Sequence, residues 1–231
     1  KLMWTWCFRT KLFCLFNIDP SRGSKVLMEK LGEEFNGVLG CDFFSAYRKY
    51  MGEVGVEVQF CIAHLIRELN FLTSLNDKAA SDYGNRVLVE VKELFYIIED
   101  EALDQERKAE ELQRQSFVIM NVACNDVPQK REAHLIRQRF QKYGESYFKF
   151  ISTPGIEPTN NLAEQAIRFV VIDRHITQGT RSKLGREWCE RIWSILATCK
   201  IQGKSSYQFI LKSLQAFFNE TTPPSLLEAP T

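Results

Sequence analysis

The sequence predicts an α/β fold interrupted by a helical insertion. Short apolar stretches alternate with helical patterns over the first third of the 231 residues, and three long amphipathic segments follow. The last third contains two more helical patterns around a polar loop. Hydrophobic residues make up 45% and charged residues 26%, so the chain is long and apolar enough for one large domain or one domain with an insertion.

The first block, residues 1–75, alternates strands and helices. The stretches WTWCF, LFCLFNI, GVLGCDFF and VEVQFCIAH predict strands, and Asp42 lies near the end of the third. Ser24 to Leu31 and the stretch LIRELNFL have helical spacing. This alternation indicates a sheet with parallel strands. Asp19 precedes Pro20 and is predicted to cap a helix, with the proline in its first turn.

The second block, residues 76–151, is predicted to be the helical insertion. The segments RVLVEVKELFYIIE, AEELQRQSFVIMNVA and AHLIRQRFQKYGESYFKFI place apolar residues at intervals of three and four. Between Glu90 and Glu111, nine acidic residues face three basic ones. This arm is therefore predicted to be a solvated face that repels DNA.

The third block, residues 152–218, is predicted to return to the core before a tail at 219–231. One helix is expected to end near Val171, and WCERIWSILATCKI predicts a second. Trp188 and Trp193 in the second helix are predicted to pack in the core.

Basic residues gather in this third block. Between Gln165 and Lys204, eight Lys or Arg residues face three Asp or Glu residues. The loop QGTRSKLGRE adds donors of the kind that contact phosphates. These are Thr180, Arg181, Ser182 and Lys183. Such a stretch is either a DNA-contacting surface or an ordinary solvated one.

Glu164, in the stretch EPTNNLAEQAIR, allows two interpretations. If Asn161 precedes the helix as its cap, Glu164 completes a capping box and can pair with Arg168 one turn on. Alternatively, the carboxylate of Glu164 holds a metal ion. The spacing by itself favours the structural interpretation.

Composition excludes several classes of protein. The net charge is +1, so any DNA binding must come from a local basic face, and no apolar run approaches the ~20 residues that cross a bilayer. Seven cysteines without a Cys-x-x-Cys pair, and three histidines far apart, argue against a disulfide framework and a structural zinc site. The first residues lack a signal-peptide cleavage site, and a reducing cytoplasm fits best.

An acid at a strand end, a helical insertion and an acid on a returning helix follow the order used by ribonuclease-H-like nucleotidyl transferases. Two magnesium ions ~4 Å apart serve phosphoryl transfer in such sites. Magnesium prefers oxygen ligands, so carboxylates that converge from distant parts of a chain suit it. Asp42 and Glu164 would be two of three such ligands, with Mg²⁺ as the ion and Mn²⁺ as its alternative.

The chain resembles the transposases of the sixty-six family of bacterial insertion sequences. The motifs that carry the resemblance occur in family order and cover nearly the whole chain. They are LGCDFFSAY, CIAHLIREL, PTNNLAEQAIR, QGTRSKLG and IWSILATCKIQGKS. The family implies a DDE-type catalytic domain, with two aspartates and a glutamate, that cuts and joins DNA at element ends. By position, Asp42 resembles the second aspartate and Glu164 the glutamate.

The resemblance also suggests roles for other residues. The expected DNA contacts are Arg168, Arg174, Arg181 and Lys183. The expected supporting residues are His64, Asn160 and Asn161. The family often shows Arg-Arg or Arg-Lys where this chain has Arg174-His175. That difference weakens the case for phosphate contacts there.

The first aspartate of the family precedes the position of Lys1, and Asp19 does not fit its role. We therefore expect an incomplete ribonuclease-H-like core that lacks this aspartate, its strand and the upstream DNA-binding part, and that is inactive and poorly stable alone. The alternatives are a decayed remnant that at most binds DNA and a nuclease of the same fold. The expected partners are transposon-end and target DNA and, in the full-length protein, further copies of itself, in the bacterial cytoplasm at the nucleoid.

Overall fold

The computed structural model describes residues 2–227, which form a mixed α/β protein that is mostly helical. The strands are β1 Trp4–Arg9, β2 Cys14–Asp19, β3 Val38–Cys41 and β4 Glu57–Phe60. The helices before the last third are α1 Ser24–Leu31, α2 Ser45–Val54, α3 Ile62–Thr73, α4 Lys78–Glu99, α5 Gln105–Cys124, α6 Arg131–Tyr143 and α7 Lys149–Ser152. The remaining helices are α8 Asn161–Thr177, α9 Lys183–Ile201 and α10 Ser206–Phe218.

The chain divides into two compact units. The terminal unit comprises Lys1–Arg22 and Asn161–Thr231, and the central unit comprises Gly23–Asn160. The predicted boundaries at residues 75 and 151 mark where an insertion would interrupt the sheet. They are not boundaries between compact units, and they stay a prediction. Residues 228–231 of the predicted tail lie outside the described residues. No helix within residues 2–227 is both long and apolar enough to cross a membrane.

The terminal unit is built on an antiparallel hairpin of β1 and β2. Their register runs from Trp4 opposite Asp19 to Arg9 opposite Cys14. The Thr10 hydroxyl oxygen accepts hydrogen bonds from the backbone N–H groups of the next turn residues, which closes the connection. A connection this short permits only antiparallel pairing, because a parallel crossover needs a dozen or more residues. The expected parallel sheet is therefore not formed by these two strands.

Helix α9 covers the other edge of β2 with polar side chains. Three alternate backbone N–H groups of β2 donate to three side-chain oxygens spaced four residues apart on α9. The pairs are Cys14 to Thr198 Oγ1 (3.1 Å), Phe16 to Ser194 Oγ (2.9 Å) and Ile18 to Glu190 Oε1 (2.5 Å). Two strand residues rise about 6.6 Å and four helix residues about 6 Å, so the two repeats match. We call these three bonds the α9 ladder.

Behind the α9 ladder lies the apolar core of the terminal unit. Its buried members are Cys14, Phe16, Val170, Cys189 and Trp193. Trp193 is 6% exposed, as predicted, whereas Trp188 is 63% exposed and does not pack in the core. The five positions that separate them place Trp188 on a different face of α9, because each residue turns a helix by about 100°.

The central unit contains the predicted parallel strand pair. β3 and β4 pair in parallel from Val38 opposite Glu57 to Cys41 opposite Phe60, with α2 as the crossover. Val58 and Phe60 are fully buried, which fits a strand covered on both faces. The described residues therefore form two separate two-stranded sheets, one antiparallel and one parallel, and each strand pairs with one neighbour.

The three helices predicted between residues 76 and 151 are present as α4, α5 and α6, although the third ends at Tyr143 instead of continuing to Ile151. Asp77 and Asp104 cap α4 and α5, since their carboxylates accept from the N–H groups of Ala80 and Arg107, each at 2.9 Å. The Nζ of Lys130 lies 2.9 Å from Asp77 and ties the start of α6 to that of α4. The hydrogen bond from Lys130 also lowers the pKa of Asp77.

Several predicted element ends are wrong. The stretch CIAH begins helix α3 rather than ending a strand, α8 continues past Val171 to Thr177, and α9 begins at Lys183 within the predicted loop. Asp19 does not cap a helix, because α1 begins only at Ser24. Instead, its Oδ1 accepts from the N–H of Ser21 at 2.6 Å and closes a turn.

The α9 ladder yields a stability prediction. Thr198→Val should lower the free energy of unfolding by about 1–3 kcal/mol, because the buried N–H and carbonyl of Cys14 both lose their partner. Thr198→Ser should keep most of the stability. The measurement is equilibrium unfolding in urea.

The matched control is Thr177→Val. The Thr177 hydroxyl also bonds to a backbone carbonyl, four residues back, but it is exposed. Its replacement should change stability by less than about 0.5 kcal/mol. Equal losses from the two valine variants would show that the α9 ladder does not matter for stability.

Candidate active site

Asp42 directly follows β3 in the central unit. It is half-buried, and its Oδ1 accepts from the N–H of Phe44 at 3.0 Å, which turns the chain toward α2. The N–H of Cys61 donates to the carbonyl of Cys41 at 2.7 Å, so pairing of the two strands continues to the residue before Asp42. The carboxylate thus stands at the carboxyl end of a parallel pair, where ligand sites of α/β sheets form.

The side chain of Phe43 anchors this strand end. Its ring makes edge contacts with Phe60 and Tyr143, at centroid distances of 4.9 and 5.6 Å. The guanidinium groups of Arg48 and Arg139 lie 4.4 and 4.0 Å from the same ring centroid. Cation–π attraction from two arginines therefore holds Phe43, the residue that directly follows Asp42.

Arg139 is fixed by further contacts of its own. Its side chain is 11% exposed, and its Nη2 donates to Glu68 Oε2 at 2.5 Å and its Nη1 to the Tyr147 hydroxyl at 3.4 Å. Burial disfavours the charged form of Arg139, but its contacts with Glu68 and Tyr147 together outweigh this effect, and the pKa of Arg139 is raised. Burial also raises the pKa of Tyr147, so this pair stays one cation and one neutral phenol.

Two of the predicted supporting residues lie in the same corner of the central unit. The N–H of Ile62 donates to the carbonyl of Pro158 at 3.0 Å, and the N–H of Asn160 donates to the Cys61 sulfur at 3.4 Å. The side-chain oxygen of Asn160 is buried and accepts no hydrogen bond within residues 2–227. His64 is half-buried in the first turn of α3. Backbone and sulfur bonds thus link Asn160 through Cys61 to the residue before Asp42.

The donor atoms in this corner suit a hard cation. Asp42 offers carboxylate oxygens and Asn160 an unsatisfied amide oxygen, which are ligand types of Mg²⁺. Burial, together with the nearby negative charge of Asp42, keeps the pKa of the Cys41 thiol well above its usual value. Cys41 is therefore a neutral thiol and a poor metal ligand. Within the described ranges, no three His, Cys, Asp or Glu side chains converge into a metal cluster.

Glu164 stands in the terminal unit. It is half-buried in the first turn of α8, and the exposed Asn161 is the first residue of that helix rather than its cap. Arg168 is exposed and forms no ion pair with a carboxylate of residues 2–227. The Glu164–Arg168 ion pair that the spacing allows is therefore not formed. Glu164 and Asp42 belong to different units, and their convergence on one metal pair stays a prediction.

The other expected DNA contacts follow Arg168 along the terminal unit. Arg174 and Arg181 are exposed and form no ion pair in the described part of the chain. Lys183 is exposed and lies 3.7 Å from Glu187 one turn on, which partly neutralises it. The Ser182 hydroxyl caps α9 by accepting from an N–H at 3.0 Å, so this loop residue has a structural role.

The sequence does not reveal the contacts of the Phe43 ring with Arg48 and Arg139. For Arg48 the sequence gives a weak indication of this contact, since Arg48 lies five residues beyond Phe43 near the start of a helix. For Arg139 the sequence gives no such indication, because Arg139 belongs to an ordinary amphipathic pattern between residues 76 and 151. Contact between a helical insertion and a strand end appears only in three dimensions.

Arg139→Met tests this corner. The variant should lose about 2 kcal/mol of unfolding free energy, because it leaves Glu68 unpaired and removes one cation from Phe43. The figure allows for the exposure of Glu68, whose side chain is 43% accessible. Urea unfolding measures the loss.

Arg114→Met is the matched control for Arg139→Met. Arg114 also pairs with a glutamate, Glu111, but both side chains are exposed on α5. Its loss should cost less than about 1 kcal/mol. A cost at Arg139 no greater than at Arg114 would contradict the anchoring role.

Residues 1–187 match the family model described as Transposase IS66 family. Neither the curated proteins nor the solved structures give a match. The matched segment includes β1 to β4, the insertion, all of α8 and the start of α9, and thus both Asp42 and Glu164. Because the match covers most of the chain, the protein belongs to the IS66 family of transposases.

Proposed function

We propose that this chain is the catalytic domain of a DNA transposase that cuts and joins transposon-end DNA with a divalent metal. Family membership supports DNA transposition and DNA as the partner. The observation that carries the finer proposal is Asp42 at the carboxyl end of a parallel strand pair, whose last paired residues are linked through Cys61 to Asn160 with its unsatisfied side-chain oxygen. We propose a ribonuclease-H-like core around β3 and β4, with residues 76–151 as its insertion.

Asp42 and Glu164 are the proposed metal ligands. When bound, Mg²⁺, or Mn²⁺ in its place, would supply electrostatic stabilisation of the phosphoryl group under attack. Asp42 would direct one carboxylate oxygen at the ion while Phe44 N–H holds the other. Glu164 lies four positions after Asn160, which is bonded to Cys61, and four steps along the chain span at most about 14 Å. This tether supports the convergence of the two carboxylates.

The exposed cations of α8 and the following loop are the proposed DNA contacts. Arg168, Arg174 and Arg181 are available to phosphate oxygens because no carboxylate of residues 2–227 neutralises them. Lys183 would contribute less while it pairs with Glu187. The nine acidic residues between Glu90 and Glu111 would keep α4 and α5 away from DNA.

The second candidate is a protein that binds DNA without cutting it. The same exposed arginines favour it, since phosphate contacts need no metal and no carboxylate. Assays of metal binding and of cleavage separate it from the first candidate. Further copies of the full-length protein as partners, and a place at the bacterial nucleoid, belong to the proposal of an active transposase.

Replacement of the two carboxylates tests the metal site. Asp42→Asn and Glu164→Gln should each weaken Mn²⁺ binding at least about tenfold, because each removes a charged oxygen ligand while keeping the side-chain size. Electron paramagnetic resonance of Mn²⁺ measures this without any chemical step. In the full natural product of the gene, the same variants should abolish nicking of element-end DNA.

Asp173→Asn is the control for Glu164→Gln. Asp173 is a half-exposed carboxylate near the end of the same helix. Its replacement should leave both Mn²⁺ affinity and nicking unchanged. Metal binding that survives both Asp42→Asn and Glu164→Gln would overturn the assignment. DNA binding without any metal binding or nicking would favour the second candidate.

DNA binding should depend steeply on salt. Arg174→Gln and Arg181→Gln should each lower the slope of log affinity against log salt by about 0.9 on duplex DNA, because each removes one phosphate contact. Fluorescence anisotropy between 50 and 200 mM salt, roughly the range in which such contacts show, measures the slope. Lys92→Gln, an exposed lysine of α4, should leave it unchanged. Equal effects of all three would contradict the proposed surface.

A further inference from the structure

The terminal unit contains a cavity of about 550 Å³ between α8, α9 and the end of β1. Its walls are apolar. They are formed by Leu162, Ala166, Phe169, Leu196, Ala197 and Ile201. Arg9, Gln165 and Lys200 supply the polar part of its lining. A cavity of this size lies within the range of small-ligand sites, about 300–1,000 Å³.

The charge of the cavity is one-sided. Arg9 is half-buried and Lys200 is exposed, and neither forms an ion pair within residues 2–227. No acidic residue belongs to the lining. An apolar cleft with two unneutralised cations attracts a ligand that has an apolar body and negative charge.

The cavity is distinct from the proposed metal site. Each helical residue turns α8 by about 100°, so Leu162, Ala166 and Phe169 share one face within about 60°. Glu164 lies more than about 150° from the centre of that face. The cavity and the Glu164 carboxylate therefore occupy opposite sides of α8.

One wall of the cavity is an aromatic ring held in place. Phe169 packs edge-on against Phe16 and Trp193, with interplanar angles of 84° and 86°. Both partners are buried in the core of the terminal unit, so the ring cannot leave the wall without disturbing that core. A fixed aromatic surface beside cations is what single-stranded nucleic acids use for stacking and phosphate contact.

We propose that this cavity binds one unstacked nucleotide of a single-stranded stretch of DNA. The base lies against Phe169 and the aliphatic walls, and the phosphates contact Arg9 and Lys200. A nucleotide within a strand has a phosphate on each side, which two separate cations can contact, whereas free phosphate or a monophosphate has one. The inference rests on the proposed function only in taking DNA as the ligand.

Anisotropy with two labelled oligomers tests the proposal on the full chain. One is a short oligothymidylate, and the other is an abasic sugar-phosphate oligomer of equal length. The chain should bind oligothymidylate about tenfold more tightly, because stacking of one base is lost in the abasic oligomer. Ala197→Phe, which fills the cavity, should remove this preference. All measurements contain EDTA, so they do not depend on metal or cleavage.

The rim cations provide a second test that needs no repacking. Arg9→Gln combined with Lys200→Gln should lower the salt slope for oligothymidylate by about 1.4, which is about 0.7 for each lost contact. Arg191→Gln is the control, because nine residues place Arg191 on the opposite side of α9 from Lys200. It should leave the preference for oligothymidylate unchanged.

Several results would overturn the proposal. They are equal affinity for the two oligomers, a preference that survives Ala197→Phe in a variant folded by circular dichroism, an unchanged slope in the double variant, and a lost preference in Arg191→Gln. Competition by inorganic phosphate at constant ionic strength that removes all binding would show an anion site only. Confirmed base preference without metal-dependent nicking would reject the proposed catalysis and keep the nucleotide site.

Discussion

The terminal unit depends on the bonds between the backbone of β2 and the side chains of α9. A strand edge presents unpaired N–H groups that otherwise invite other chains to pair. Glu190, Ser194 and Thr198 satisfy three of them, because the rise of four helical residues nearly equals that of two strand residues. The buried ring of Phe16 and helix α8 pack against β2 and α9, and α8 carries both Glu164 and part of the cavity lining.

The central unit holds an acidic residue, Asp42, at the end of a short strand. β3 has four residues, so pairing with β4 alone gives little rigidity. Three further contacts compensate for this. They are the Asp42–Phe44 turn, the Phe43 ring packed against Phe60, and the bonds that lead from Cys41 through Cys61 to Asn160. Helix α6 thus also supports the corner, since it carries Arg139.

Periodicity predicted the elements well, because local patterns decide them. The helix Ser24–Leu31 and the three helices of the insertion follow from apolar spacing, and Asp42 was expected at a strand end. The antiparallel pairing of β1 and β2 was not predicted, because the short connection at Thr10 rather than the strand pattern decides it. The cavity was also missed, since Arg9 and Lys200 lie 191 residues apart in sequence (200 − 9). No sequence window contains such a pair.

The charged and titratable groups around Phe43 determine how this part of the central unit responds to pH. Guanidinium groups keep their charge far above neutrality. Burial opposes the charge of Arg139, but its contacts with Glu68 and Tyr147 together raise its pKa further. Burial raises the pKa of Tyr147 and of Cys41, so both stay neutral into the alkaline range. Arg139, Tyr147 and Cys41 therefore present the same charges across the physiological range. A change of pH across that range therefore leaves the contact between Arg139 and the Phe43 ring intact.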